Sequence, residues 1–442
     1  MSAPPTPSAT AASVTAGARR YALGILLVVY VFNFIDRQIL TILLEDIKQE
    51  LVLSDTALGF LTGIAFALFY TTLGIPIARW ADRGTRRNII ALGLALWSGM
   101  TALSGAARSF TELAIARIGV GIGEAGCSPP AHSLLADYFP PEKRGRALSI
   151  YALGIPIGSA FGLFFGGWLA EFFGWRLALM AVGLPGLVLA VLVRWTLSEP
   201  PRGHSEGASA DHGAGESVGS VLRFILRLRS FLHMAFAASL HAFVGYGAAA
   251  FLPVFLIRVH GMGQGEVGTW LAAIGLTAGA LGTYLGGDVA DRLGRRDPRW
   301  YLWVPGIATV LGLPFIACLY LWPDPHVALV LYSPAAVLGA MYLGPTFAMT
   351  QNLVKLRMRA VASAILLFII NLIGLGAGPQ FVGYLSDRLR PVHDVESIRY
   401  ALLFVVLIGS AWSALHYAFG ARTLRRDLEA SREDEAPAPL GA

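Results

Sequence analysis

The sequence predicts an all-α membrane protein built as two bundles of six transmembrane helices. Three observations carry this. The 442 residues are 55% hydrophobic and only 14% charged, where a soluble domain carries about 25% charged residues. Continuous apolar runs of about 20 residues, the length that crosses a ~30 Å hydrocarbon core, recur along the whole chain. Short charged motifs return at matching places in the two halves. A membrane barrel is excluded, because its strands would alternate apolar and polar residues.

Twelve spans are expected, at residues 20–46, 56–79, 88–107, 112–138, 146–170, 176–197, 231–258, 266–289, 299–321, 327–353, 360–386 and 398–420. The ninth and tenth are interrupted by Pro305, Pro314, Pro334 and Pro345. An even number puts both termini on one side. Loops there hold an excess of bases, among them Arg83, Arg86, Arg87, Lys143, Arg144, Arg292, Arg295 and Arg359, so that side reads as cytoplasmic.

Residues 1–19 are rich in Pro, Ala, Ser and Thr and lack an apolar stretch, so they read as a disordered cytoplasmic tail rather than a signal peptide. The first bundle takes residues 20–197, a cytoplasmic linker 198–230, the second bundle 231–420 and a cytoplasmic tail 421–442. Within the linker, Val218 to Leu228 alternate apolar residues with Arg at helical spacing. That suggests an amphipathic helix on the inner membrane surface, with a solvated connector as the alternative.

A net charge of +6 would raise nucleic acid as a partner for a soluble protein. Here the bases mark loops, and no nucleic-acid partner is expected. The two cysteines, Cys127 and Cys318, sit in apolar spans of different halves, which argues against a disulfide framework or metal site. The nine histidines show no ligand spacing. No Gly-x-x-x-x-Gly-Lys loop exists for nucleotide, and no span holds a nucleophile–base pair. Neither a cofactor nor enzymatic activity is expected.

The halves repeat. Ala81-Asp82-Arg83-x-x-Arg86-Arg87 follows the second span and Ala290-Asp291-Arg292-x-x-Arg295-Arg296 the eighth. Arg144-x-Arg146-Ala147 is matched by Arg357-x-Arg359-Ala360. Gly167-Trp168-Leu169-Ala170-Glu171 is matched by Gly383-Tyr384-Leu385-Ser386-Asp387. Each pair keeps its sidedness, which indicates a parallel repeat about an axis along the membrane normal.

Charge inside the spans is the functional signal. Asp36 lies in the first span and Glu124 in the fourth, where a charge costs about 2.5–3.5 kcal/mol on the lenient insertion scale. Arg117 and Glu124 are seven residues apart and share a helix face. Asp36 and Arg37 are adjacent and point apart, while Asn33 and Arg37 lie one turn apart. Spans one and four facing each other would put Asp36 near Arg117 and Glu124 near Arg37. Two acids and two arginines could then exchange partners as one proton binds, a coupled system rather than two independent acids. The alternative is a static buried ion-pair network, and both can hold. Phe32, Phe66, His241, Tyr246, Thr346 and Asn371 are candidates to line a cavity, although helix–helix or lipid contacts would use such residues equally well.

The loop Gly287-x-x-Ala290-Asp291-Arg292-x-Gly294-Arg295-Arg296 resembles the signature of the major facilitator superfamily; its first-half copy has Ala78 and Thr85 for the two glycines. Asn33-x-x-Asp36-Arg37, Leu53-Ser54-Asp55, Ala81-Asp82-Arg83 and Arg117-x-x-x-Gly121-x-Gly123-Glu124-Ala125 resemble the spinster branch, most densely over residues 20–200. The resemblance implies a major facilitator bundle around a central cavity. It also implies secondary transport of lysolipids or sphingoid phosphates, proton-coupled in bacterial members. The second half departs from this in carrying no acid at mid-membrane, so coupling would rest on the first half.

The sequence reading is therefore a proton-coupled transporter of an amphipathic anionic lipid such as a lysophospholipid. A monomer in a bacterial inner membrane is expected. Glu124 and Asp36 are the proton candidates, and Arg37, Arg117 and Asn33 the substrate or charge-switch residues. Asp82, Arg83, Asp291, Arg292 and Arg295 are the gating candidates. A carrier of small organic anions or drug-like amphiphiles, or a non-transporting receptor, are the alternatives.

Overall fold

The computed structural model describes residues 15–203, 205 and 216–433. Most of the expected N-terminal tail, the Gly/Ser/Ala/His part of the linker and the end of the C-terminal tail lie outside the described residues. Within them there are helices and no strands.

In the first half, α1 (Ala16–Leu51) starts where the Thr15 hydroxyl accepts the Ala18 N–H. The second expected span is two helices, α2 (Asp55–Thr62) and α3 (Ile64–Arg83), divided at Gly63. Then come α4 (Arg86–Ser104), α5 (Phe110–Ala125) and α6 (Ser128–Tyr138). The break between α5 and α6 precedes Pro129 and Pro130, which sit in α6's first turn, where the missing N–H is harmless. The half closes with α7 (Pro141–Ala152) and α8 (Gly154–Thr196). Inside α8, Gly174 turns the chain at φ 78°, between the expected fifth and sixth spans. A residue with a Cβ would resist that turn.

The linker contributes α9 (Val218–Ile225). Its Val221 and Ile225 are buried against the second half, while Val218 and Leu222 remain exposed.

In the second half, α10 (Arg229–His260) and α11 (Gln264–Gly294) precede α12 (Trp300–Leu321). Pro305 and Pro314 stay inside α12 without interrupting it. Neighbouring helices can satisfy a backbone group freed by a membrane proline. The tenth range does break, but at a 3-10 turn, Ala340–Tyr342, between α13 (Pro325–Gly339) and α14 (Leu343–Asn352). The eleventh runs as α15 (Arg359–Ile370), a π-helical stretch Asn371–Ala377 and α16 (Gly378–His393). Last comes α17 (Ser397–Glu433), which continues well past the expected end of span twelve.

Every expected range falls on helix. Seven helical stretches are long and apolar enough to cross a membrane by length and composition. The count of twelve rests on the sequence pattern.

The halves meet on the side away from the linker. There α2 packs on α16, α8 on α11, and α1 on α10. One buried apolar cluster joins Ile39, Leu43, Ile47 and Leu58 to Val244, Phe251, Phe255 and Val382. The approach is close: a Cβ on Gly383 would sit 2.1 Å from the Asp55 carbonyl oxygen.

Candidate functional site

Span one brings Asn33, Asp36 and Arg37 against Arg117 and Glu124 of α5. Arg37 Nε donates to Glu124 Oε2 at 2.6 Å. The guanidinium carbon lies 5.0 Å from the centre of the Phe34 ring, 4.9 Å from Phe66 and 4.6 Å from Tyr70. Aromatic faces stabilise a cation in a site poor in water. Glu124 is fully enclosed, and its second oxygen has no hydrogen-bond partner among the described residues.

The second expected pair is looser. Asp36 is buried, and neither of its oxygens has a hydrogen-bond partner among the described residues; Glu124, Arg117 and Thr101 are its polar surroundings. Arg117 donates from Nε to the Leu61 carbonyl at 3.4 Å, with its guanidinium 5.5 Å from the Phe66 ring. Asn33 is buried near Glu124 with both amide atoms unpartnered. Glu124 therefore holds Arg37 directly, while Asp36 and Arg117 sit within electrostatic reach without closing a salt bridge.

A second polar cluster joins the halves on the far side. Arg258, at the end of α10, donates from two nitrogens to the two Asp55 oxygens at 2.8 Å each. It also reaches Glu45 at 2.8 and 3.0 Å. Lys48 donates to Asp55 from the other direction, and Ser386 Oγ donates to it at 2.6 Å. Asp387 accepts the Asp55 and Thr56 N–H groups at 3.0 and 2.7 Å. Glu171 accepts the Gly265 N–H at 2.7 Å. Neither Lys48 nor Arg258 stands out in the sequence, so this cluster is found only in the structure. The acids ending the repeated Gly-aromatic-Leu motifs, Glu171 and Asp387, were the available signal.

Residues 26–379 match the family model described as Major Facilitator Superfamily. The chain belongs to the major facilitator superfamily. It is 37% identical over 407 residues to an MFS-type efflux pump of Mycolicibacterium smegmatis, covering 92% of this chain and 94% of that protein. It is 26% identical to Protein spinster homolog 1 of Xenopus tropicalis, covering 87% of this chain and 77% of that protein. A solved bacterial homologue of the human lysosomal transporter spinster, inward-facing and unoccupied, superposes with a TM-score of 0.85 at 33% identity, covering 93% of this chain and 99% of that one. This is a multi-pass, spinster-like member of a family of transporters.

The major facilitator loop signature behaves differently in its two copies. Asp82 and Arg83 are exposed and make no hydrogen bond or ion pair among the described residues. Arg87 donates to the Leu197 carbonyl at 3.0 Å, and Arg86 is the most engaged member of the first copy. Buried, it reaches Asp137, Ser133, the Pro200 carbonyl and, at 2.8 Å, Glu199. In the second copy Asp291 accepts the Tyr301 hydroxyl at 2.7 Å, and Arg292 pairs with Asp288 at 2.9 Å. Arg295 has no such partner among the described residues. No hydrogen bond among the described residues of these loops links the two halves.

The cavity candidates divide. Tyr246 of α10 is partly exposed and within electrostatic reach of Arg37 and Tyr70. His241 bonds the Gly339 carbonyl at 2.8 Å, where the tenth range breaks, and its ring lies 4.2 Å from Tyr342. Asn371 opens the π-helical stretch. Phe66 is buried beneath Arg37 and Arg117. Phe32 turns away toward Gly186 of α8, and Thr346 is fully buried, donating to the Tyr342 carbonyl at 2.7 Å.

Proposed function

We propose that this chain moves an amphipathic anionic lipid, such as a lysophospholipid, by proton-coupled alternating access. The single observation that carries the coupling is the Arg37–Glu124 pair inside an aromatic enclosure, next to an Asp36 whose oxygens accept no hydrogen bond. A proton on Glu124 would remove the anion that holds Arg37 and free its planar donors for a phosphate. A proton on Asp36 would remove a buried negative charge that no salt bridge closes on. Removing one partner from a buried pair without such compensation costs about 3–5 kcal/mol, so proton and substrate would alternate as partners of Arg37.

The lipid reading draws on the spinster relatives and on Tyr246 standing across from Arg37. Substrate would enter near mid-membrane between the halves and meet each side in turn. The far-side cluster would be the closed gate of the present state. The loops around Asp82, Arg83, Asp291, Arg292 and Arg295 would form the opposite gate in the other state. Both termini would face the cytoplasm, and the working unit would be a monomer.

Export of a drug-like amphiphile is the second reading, favoured by the likeness to the mycobacterial efflux pump. Proteoliposomes given a panel of lysophospholipids, small organic anions and cationic amphiphiles, with and without a pH gradient, test both. Gradient-dependent accumulation of lysophospholipid supports the first reading. Accumulation of the cationic amphiphile alone supports the second and overturns the first.

A further inference from the structure

The linker side of the second half holds a cavity of about 640 Å³, bordered by the Asp291 and Arg295 that the transport reading places in the gate. That size falls inside the range of about 300–1,000 Å³ typical of small-molecule sites. Five elements meet around it: the end of α11, the start of α12, the end of α14, the start of α15 and the extension of α17. The extension is fixed there. Ser431 Oγ donates to the Leu353 carbonyl at 2.9 Å, and Asp427 accepts the Ser230 N–H at 2.8 Å.

Its lining is chemically divided. Arg295, Arg359 and Asn352 supply donors, while Met349, Val354 and Leu428 supply an apolar floor. Arg359 spends only its Nε, on the Gln351 carbonyl at 3.1 Å, which leaves its terminal nitrogens available. Arg295 makes no hydrogen bond or ion pair among the described residues. Among the described residues the one acid in the lining is Asp291, which takes the Tyr301 hydroxyl. Two guanidinium groups against one carboxylate leave the lining with a net positive charge.

We propose that this cavity binds a phosphate group carried on a small apolar stem, with Arg295 and Arg359 as its two cationic contacts and the Asn352 amide as a neutral donor. Guanidinium forks match phosphate oxygens two at a time. The floor of Met349, Val354 and Leu428 accommodates carbon beyond the phosphate. Such a group can come from the headgroup of an anionic phospholipid in the adjacent leaflet or from a soluble phosphate. The site lies wholly within the second half and does not depend on what the protein transports.

The test is thermal stability of the full-length protein in neutral detergent, titrated with three probes. These are dihexanoyl phosphatidylglycerol, dihexanoyl phosphatidylcholine and inorganic phosphate. The glycerol lipid should stabilise the protein at concentrations where the choline lipid does not. Arg359→Gln and Arg295→Gln should each weaken that response roughly tenfold or more, as expected for the loss of a charge-assisted bond. Arg359→Lys should keep part of it, and Arg425→Gln, outside the lining, should keep all of it. Equal stabilisation by inorganic phosphate supports the site with a soluble ligand as its source. Equal responses to the two lipids, or variants that respond as the native protein does, overturn it. If Arg359→Gln does not fold, Arg295→Gln carries the test alone.

Discussion

Glu171 and Asp387 each cap the first turn of a helix that belongs to the other half. Glu171 accepts the Gly265 N–H of α11, and Asp387 accepts the Asp55 and Thr56 N–H groups of α2. A carboxylate at a helix N-terminus meets both free N–H groups and the positive end of the helix dipole. The two residues hold equivalent places in the sequence repeat, so the far-side closure is built twice from one device.

Neutralising either cap should therefore loosen the far side. Asp387→Asn and Glu171→Gln should each cost the closed state roughly 0.3–1 kcal/mol, the range for losing a charge at a helix N-terminus. Spin labels on the far ends of α2 and α16 should report a larger population of long distances in both variants. Native-like distance distributions in both would rule out the capping role.

Arg258 should matter more than either cap. It is the cation that reaches two carboxylates, and Asp55 is completely buried. Arg258→Met leaves Asp55 with Lys48 as its paired cation and the Ser386 hydroxyl, and breaking a buried pair this way costs about 3–5 kcal/mol. A cysteine placed on the far side of span one should become reactive to a membrane-impermeant maleimide. Arg258→Lys should restore protection only in part, since a single ammonium cannot grip both Asp55 oxygens. Full protection in Arg258→Met would contradict the lock.

Much of this was legible in the sequence, for reasons that differ by residue. The Glu124–Arg37 contact follows from helical spacing plus the expense of charge in lipid, which leaves few places for a buried acid to go. Helix ranges follow from apolar length. The far-side cluster was not legible, because Arg258 and Asp55 are 203 residues apart and sit at span ends, where single charges are ordinary. The break at Ala340–Tyr342 has no local sequence signal either: it falls between Pro334 and Pro345 rather than at one of them, where His241 can bond the Gly339 carbonyl. Arg86 was read as a topology charge, since nothing local announces Asp137 and Glu199 as its partners.

Arg37 should be sensitive to shape as well as charge. Arg37→Ala should abolish transport while the protein still inserts and folds, and Arg37→Lys should recover only part of it. Uptake and thermal stability measured together separate the outcomes. Unchanged uptake in Arg37→Ala would remove the residue from the mechanism. Lost uptake with collapse of the fold would favour a static ion-pair role.

Asp297, in the loop between α11 and α12, gives a pH prediction outside the membrane. Hydrogen bonds from Arg299, outweighing desolvation, and from Arg425 on α17 lower its carboxyl to about 2. The folded value lies below the ordinary ~3.9 of an unfolded aspartate. Its stabilisation is therefore complete above that ordinary value and is lost as pH falls through about 2. Asp297→Asn should lower stability by about 1 kcal/mol or less, as for exposed pairs. The difference between variant and native melting temperatures should stay constant from pH 8 to pH 5. A difference that vanishes by pH 5 would show that another group carries the effect.

The central claim is that the Arg37–Glu124 pair is opened by a proton. Glu124→Gln holds that position permanently neutral while keeping its size. The decisive measurement is lysophospholipid accumulation by Glu124→Gln in proteoliposomes with an imposed pH gradient, run beside substrate exchange without one. Gradient-driven accumulation should be lost while exchange partly persists. Accumulation at the native level in Glu124→Gln would contradict the claim.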